Sequence, residues 1–97
     1  MATYISLSSF TEQGIRSVKE STKRADAVKE AAKKFGAQMT QIYWTLGQYD
    51  IVAVIEAPDD KSAAAFAMAV GAAGNVRSQT LRAFSKEEMN GILAKLG

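Results

Sequence analysis

The chain has 97 residues, and we predict a single domain, residues 1–97, built around one hydrophobic core. Twelve basic and ten acidic side chains leave a net charge of +2, so the composition does not indicate a broad surface for nucleic acid. Cysteine and histidine are absent, which excludes disulfides, thiolate catalysis, zinc–thiolate centres and the usual haem ligand. We therefore expect no metal site and no cofactor.

The amino-terminal segment lacks a charged region followed by a long apolar run, and no later segment approaches the length of a membrane span. The sequence is accordingly expected to belong to a cytoplasmic protein that has no membrane partner.

The first half of the chain predicts a strand and two helical segments. Tyr4–Ser8 alternates apolar and polar residues, which is typical of a strand. Thr11 is a suitable N-cap for a short helical segment. A longer helix is expected to follow, capped by the side chain of Ser21 or Thr22 and ended by Gly36, because glycine readily adopts the left-handed C-terminal conformation.

The second half predicts a hairpin, a helix, a strand and a last helix. Two apolar runs are joined by a glycine-containing turn, and Pro58 ends the second run. An alanine-rich helix follows, and a capping box begins the terminal helix. The predicted segments are strands at Met39–Trp44, Tyr49–Glu56 and Val76–Phe84, a helix from Asp59 or Asp60 to about Gly71, and a helix after Ser85-Lys86-Glu87-Glu88.

This βαββαβ order, with an added C-terminal helix, predicts an α+β, ferredoxin-like fold. Right-handed crossovers place the first and third strands at the centre of an antiparallel sheet, with both main helices on one face. The third strand is nevertheless apolar on both sides, since Val52 and Val54 point away from its other apolar residues. We expect Val52 and Val54, joined by Tyr4, to pack on the same surface of a second copy, which gives a sheet-to-sheet homodimer.

Several motifs along the chain, in their order and spacing, resemble the GYD domain family. The hairpin turn carries Gly47-x-Tyr49-Asp50, and further motifs precede and follow it. The resemblance covers essentially the whole chain and implies the dimeric α/β-barrel superfamily, in which two sheets pack face to face. Ser8-Ser9 departs from the pattern, so a ligand at the end of the first strand would meet different groups here. The other matching segments are Phe10-Thr11-x-x-Gly14, Lys19-x-Ser21-x-x-Arg24, Gly74-Asn75-Val76-Arg77 and Thr80-Leu81-Arg82-Ala83-Phe84.

One end of the predicted sheet gathers the polar residues of these motifs. In this topology the end of the first strand, the hairpin tip and the start of the fourth strand lie at the same edge. Arg77 is suited to a carboxylate, phosphate or carbonyl group, and Asp50 to an acceptor or base role. The predicted ligand-binding residues are Tyr43, Tyr49, Asp50 and Arg77, and the residues assigned to the structural motif are Thr11, Gly14, Gly47 and Asn75.

A structural role for Asp50 remains open beside the ligand-binding one. Its carboxylate can accept hydrogen bonds from main-chain amides between Thr11 and Gly14, or pair with Arg16 or Arg77, and so hold the loops together. Capping and turn uses of aspartate outnumber catalytic ones, which favours this interpretation.

Three function classes follow. The first is a non-catalytic oligomeric module that binds a small organic ligand or serves as an assembly or accessory subunit. For this class we predict no catalytic residue. The second, by fold analogy with the superfamily, is a cofactor-free enzyme, monooxygenase-like or isomerase-like, which requires Asp50 or Tyr49 in a cavity. The third is nucleic-acid contact through basic residues of the long helix, but acidic residues interrupt that stripe, so a solvated surface is favoured and no nucleic-acid partner is expected.

Overall fold

The computed structural model describes residues 1–97 and has the predicted order of elements. Short 3₁₀ turns at Val18–Glu20 and Lys33–Phe35 flank the longer of the first two helices. The elements are β1 (Ala2–Phe10), α1 (Glu12–Arg16), α2 (Ser21–Ala32), β2 (Gln38–Trp44), β3 (Ile51–Ala57), α3 (Asp60–Ala72), β4 (Val76–Ala83) and α4 (Lys86–Ala94).

Local side chains set most of the helix ends. The side chains of Thr11, Asp59 and Ser85 accept main-chain N–H groups at the starts of α1, α3 and α4, and Ser85 completes a reciprocal capping box. Gly36 adopts a φ of 70°, the left-handed conformation expected after the second helix. The start of α2 differs from the prediction, because a 3₁₀ turn leads into it and no side chain caps it.

The four strands form one antiparallel sheet in the order β2-β3-β1-β4. This is the ferredoxin-like arrangement, with the first and third strands at the centre. Both β-α-β crossovers place their helices on one face, and α2 and α3 pack there against the sheet. The Phe35 and Phe66 rings meet between the helices and the sheet with their centroids 5.9 Å apart.

The strand register decides which residues face the helices. Tyr4 pairs with Ile55, whereas Ile5 pairs with Val54 and Leu7 pairs with Val52. Directly opposed residues of an antiparallel pair lie on the same face. Tyr4 is therefore on the helix side and belongs to the core, where it is only 4% exposed.

The sequence-based placement of Tyr4 beside Val52 and Val54 is thus wrong. Alternation along β1 separates two sets of residues correctly, but it does not say which set faces the helices. The Tyr4 hydroxyl donates a hydrogen bond to Asp60 at 2.5 Å, which joins β1 to the first turn of α3.

The other side of the sheet has no helix on it. The molecule is correspondingly flat and elongated, with principal extents of 52 × 31 × 18 Å. The terminal helix α4 is not among the elements that pack closely on the sheet, and its Met89 and Leu93 are 43% and 48% exposed. None of the helices combines the length and the apolar character that crossing a membrane requires.

Candidate functional site

Asp50 fastens the β2–β3 hairpin to the end of β1. Its carboxylate accepts the Phe10 N–H at 2.9 Å, and its own N–H donates to the Ser8 carbonyl at 2.8 Å. A carboxylate that accepts a main-chain N–H makes a charge-assisted bond, roughly twice as strong as a neutral one. The partner is one residue before the Thr11–Gly14 segment that the sequence suggested, so Asp50 holds the strand end rather than the first helix.

The predicted structural motif brings α1 against the start of β4. The Thr11 N–H donates to the Asn75 carbonyl at 3.1 Å, and the Thr11 hydroxyl donates to the Gly74 carbonyl at 2.5 Å. Gly14 lies so close to the main chain of Asn75 that an added Cβ would be 2.0 Å from the Asn75 carbonyl oxygen. Glycine is required at this position because the two backbones touch, although its φ is not positive.

Gly47 has a different role, at the exposed hairpin tip. Its φ is +133°, a conformation that favours glycine, and no atom lies within 4 Å of an added Cβ. The turn is closed by the Thr45 hydroxyl, which donates to the Tyr49 carbonyl at 2.6 Å.

Arg24 stabilises the end of α1 from the neighbouring helix. Its guanidinium donates to the Ser17 carbonyl at 2.9 Å, to the Ser17 hydroxyl at 2.8 Å and to the Gly14 carbonyl at 3.2 Å. It also donates to the Ser21 hydroxyl at 3.3 Å. These bonds give a structural reason for the Ser21-x-x-Arg24 spacing noted in the sequence.

Three of the predicted ligand-binding side chains lie on the helix-free side of the sheet. Tyr43 pairs with Val52 and is 56% exposed. The Tyr49 hydroxyl donates to the Gln79 side chain at 3.1 Å, and Arg77, opposite Ser9 of β1, is exposed. Tyr49 and Arg77 thus lie toward β4, whereas Tyr43 lies on β2 at the opposite edge of the sheet, three strand spacings or roughly 14 Å away, so the sheet does not bring Tyr43 and Arg77 together. The Asp50 carboxylate is held by the main chain.

The middle of the same side is apolar on the two central strands and on one residue of each edge strand. Its pairing rows run Tyr43–Val52–Leu7–Gln79 and Gln41–Val54–Ile5–Leu81, so the apolar side chains of adjacent strands lie next to one another and each row has one glutamine at an edge. Leu81 is 40% exposed, and the four central side chains are half-buried. We call this surface the open face, and it consists of Ile5, Leu7, Tyr43, Val52, Val54 and Leu81.

Polar side chains border the open face at both ends. At one end the Thr3 hydroxyl donates to the Glu56 carboxylate at 2.7 Å. At the other end lie the Tyr49–Gln79 hydrogen bond and Arg77. An apolar centre with a polar rim is the usual anatomy of a protein–protein interface.

A cavity of about 310 Å³ lies on the opposite side, between α2, α3 and the sheet. Its lining is mainly apolar, but three serine hydroxyls of β1 and β4 also contribute. Ser8 is only 6% exposed, and its hydroxyl lies 3.3 Å from that of Ser6 and 2.7 Å from that of Ser78. We call Ser6, Ser8 and Ser78 the hydroxyl row.

Sequence reasoning missed this cavity. Ser6 and Ser8 share a side of β1 with Tyr4, which the sequence had placed on the helix-free side. The signal that would have found the cavity is the run of small hydroxyl residues at alternate positions of two adjacent strands, once the register assigns them to the helix side. Neither Tyr49 nor Asp50 lines the cavity, although the enzyme hypothesis requires one of them in such a place.

Three ionisable side chains have displaced pKa values, each for a local reason. The hydrogen bond from Tyr4 to Asp60, together with burial, raises the pKa of Tyr4 above its usual 10.0. The N–H of Ser62 lowers the pKa of its capping partner Asp59, and the N–H of Ser85 lowers that of Glu88. All three shifts accompany hydrogen bonds that begin a helix or anchor one to the sheet.

The basic stripe of the long helix contains ion pairs. Lys23 lies 3.5 Å from Glu20, and Lys33 lies 3.1 Å from Glu30, with all four side chains exposed. A nucleic-acid surface would need this stripe to be free of ion pairs, and the stripe does not meet that condition.

The fold and these contacts define a small α+β domain of ferredoxin-like topology whose motif residues join the ends of its strands. The chain belongs to the GYD domain family, whose model matches residues 4–93. It is 33% identical over 84 residues to a protein of Thermus thermophilus described as a glutamine synthetase and cystathionine beta-lyase binding protein. That match covers 86% of this chain and 88% of the relative.

A solved structure has the same fold. The crystal structure of TTHA0845 from Thermus thermophilus superposes with a TM-score of 0.57 at 24% sequence identity. The superposition covers 88% of this chain and 95% of that chain.

Proposed function

We propose that this protein is a non-catalytic binding module that forms a homodimer through the open face and acts as an assembly or accessory subunit. The observation that carries the proposal is the uncovered apolar surface of the central strands, where Val52 and Val54 lie beside Ile5 and Leu7. Antiparallel sheets normally present polar residues on a solvated face. A contiguous apolar patch on a small domain instead marks an interaction surface.

A second copy of the chain fits this surface. Two-fold symmetry requires a patch that is complementary to itself, and the flat arrangement of short aliphatic side chains meets that requirement. The polar pair Thr3–Glu56 and the hydrogen bond of Tyr49 lie at the two ends, where a dimer would leave them at its rim. Burial of the second face would also enlarge the limited core of a chain this short.

The similar Thermus protein supports an accessory role, because its description names two enzymes that it binds. For the present chain we infer protein partners of the same general kind, without assigning those enzymes to it. A dimer formed through the open face would leave α4 available, and its exposed Met89 and Leu93, with Leu96 just beyond its end, offer apolar contacts to such a partner.

The predicted ligand-binding residues remain part of the proposal. We place the ligand at the end of the open face where Tyr49 and Arg77 lie, because Arg77 takes part in none of the four ion pairs of the chain. Tyr43 lies across the sheet on β2 and would meet a ligand only if the ligand extends over the open face. An anionic or carbonyl group is the chemistry that a free guanidinium recognises. Mapping of amide shifts during titration with small carboxylates tests this site, and unchanged Tyr49 and Arg77 amides would contradict it.

The homodimer is tested by Val54→Lys in sedimentation analysis at micromolar concentration. We expect the wild type to sediment as a dimer. The dissociation constant of the variant dimer should be higher than that of the wild type by roughly 100-fold or more, because the two-fold symmetry buries two unpaired ammonium groups.

Val18→Lys is the matched control, since Val18 is 41% exposed in the turn before α2 and lies outside the sheet. It should keep the wild-type mass. A monomeric wild type, or a Val54→Lys protein with wild-type mass and stability, would overturn the proposal.

A further inference from the structure

The cavity between the helices and the sheet is large enough to hold a small molecule. A space of about 310 Å³ lies beneath α2 and α3, next to the nine-residue core cluster. It is a cleft that is partly open to solvent, since Trp44 and Ser78 of its lining are exposed. The volume falls at the lower end of the range for small-molecule pockets, roughly 300–1,000 Å³.

The hydroxyl row forms a polar strip on the sheet side of this mainly apolar space, where Thr80 of β4 also lies opposite Ser6. Three hydroxyls share two contacts, Ser6 with Ser8 and Ser8 with Ser78. Each contact uses one O–H, so one O–H and several oxygen lone pairs remain for another partner. A ligand with one hydrogen-bonding group can satisfy them, and an apolar body can fill the rest of the space.

The charged groups of the lining are already engaged. Arg24 is the only charged side chain in the wall, and its guanidinium donates to main-chain and hydroxyl oxygens around Ser17. The amide oxygen of Asn75 accepts from Gln13 at 3.0 Å. The partners of Arg24 are all neutral, but an anionic ligand would have to displace these hydrogen bonds to pair with the guanidinium, whereas an uncharged ligand leaves them in place.

We propose that this cavity binds an uncharged small organic molecule, with an apolar body of one or two rings and one hydroxyl or carbonyl group directed at the hydroxyl row. Apolar cavities of roughly 150 Å³ bind benzene. A space about twice as large accommodates a substituted ring. The cavity lies on the opposite side of the sheet from the open face, so this site goes beyond the proposed function and does not depend on dimer formation.

The test is a titration of the full chain with para-cresol and with para-xylene, followed by ¹H–¹⁵N correlation spectra. The two probes have nearly the same shape, and only para-cresol carries a hydroxyl. We expect saturable shifts at amides around the cavity for both probes, with para-cresol binding roughly 2- to 12-fold more tightly because of one net hydrogen bond.

Two pairs of variants locate the site. Ser8→Ala combined with Ser78→Ala removes the hydroxyl preference, whereas Ser9→Ala, on the other side of the same strand, keeps it. Ala67→Leu fills the cavity from α3 and weakens both probes at least tenfold, whereas Ala65→Leu, on an exposed part of the same helix, does not.

Other outcomes would overturn the proposal. These are an absence of saturable binding to the folded wild type, or shifts that map to the open face. A third is a variant with both Ser8→Ala and Ser78→Ala that prefers para-cresol over para-xylene as strongly as the wild type does. Should Ala67→Leu unfold, the serine comparison and the wild-type shift map still decide the question. Sedimentation reports on the dimer separately, so failure of the proposed function and failure of this site give different results.

Discussion

Replacement of Gly14 by alanine separates the local preference of the chain from its tertiary packing. A Cβ at this position would lie 2.0 Å from the carbonyl oxygen of Asn75 and 2.9 Å from its carbonyl carbon. Non-bonded heavy atoms pack at roughly 3.5–4.0 Å, so α1 and the start of β4 would have to separate by roughly 1.5 Å. The neighbouring atoms belong to the backbone and cannot rotate away.

The change in the free energy of unfolding caused by Gly14→Ala can be estimated from three contributions. Separation breaks the two hydrogen bonds of Thr11, to the carbonyls of Asn75 and Gly74, each worth about 1 kcal/mol net. Strain from the close contact adds about 1–3 kcal/mol. Alanine is preferred over glycine in a helix by about 1 kcal/mol, which acts in the opposite direction. The net result is a destabilisation of about 2–4 kcal/mol.

Urea unfolding followed by circular dichroism measures this change. The proteins are compared at equal concentration, because the stability of an oligomer depends on it. Gly91→Ala is the matched control: Gly91 is also helical, and no atom lies within 4 Å of its added Cβ, so we expect unchanged or slightly higher stability. A Gly14→Ala midpoint at or above that of the wild type would refute the close contact between α1 and β4.

Two further substitutions or conditions probe the hydrogen bonds at strand and helix ends. Asp50→Ala removes the carboxylate that accepts the Phe10 N–H, and we expect a loss of about 1.5–3 kcal/mol in urea unfolding; an unchanged midpoint would free Asp50 for a role in binding. The Ser85 N–H and the nearby Arg82 lower the pKa of Glu88, so its contribution to α4 is present above the unfolded-state pKa and is lost as pH falls through the folded-state value. Amide exchange at Ser85, whose N–H the Glu88 carboxylate accepts, should accordingly quicken on acidification, after correction for intrinsic rates, and uniform protection down to strongly acidic pH would contradict this.

The elements and their order follow from local properties of the chain. Thr11, Asp59 and Ser85 end extended segments with side chains that bond main-chain N–H groups, which is a local property of these residues. Gly36 stops the second helical segment for an equally local reason, since it tolerates a positive φ. The βαββαβ order then leaves few topologies, because crossovers are right-handed, and the sheet order follows from it.

The convergence of separate motifs was also predictable, but the partners of individual side chains were not. Topology brings Thr11 and Asn75 to the same edge of the sheet, and the structure joins them by a hydrogen bond. Asp50 was expected to bond between Thr11 and Gly14, yet it accepts from Phe10. A difference of one residue depends on strand register, which is set by all the paired side chains together.

The face that each strand residue occupies depends on how the strands pair in the folded chain and could not be read from the sequence. Residues of β1 alternate between two sets, and both contain apolar and hydroxyl side chains, so periodicity alone leaves two equivalent assignments. Pairing of Ile5 with Val54 makes the open face more apolar than expected and turns Tyr4 and Ser8 toward the helices. The cavity depends in addition on how far α2 and α3 stand from the sheet, which results from packing between segments distant in sequence and is encoded in no local pattern.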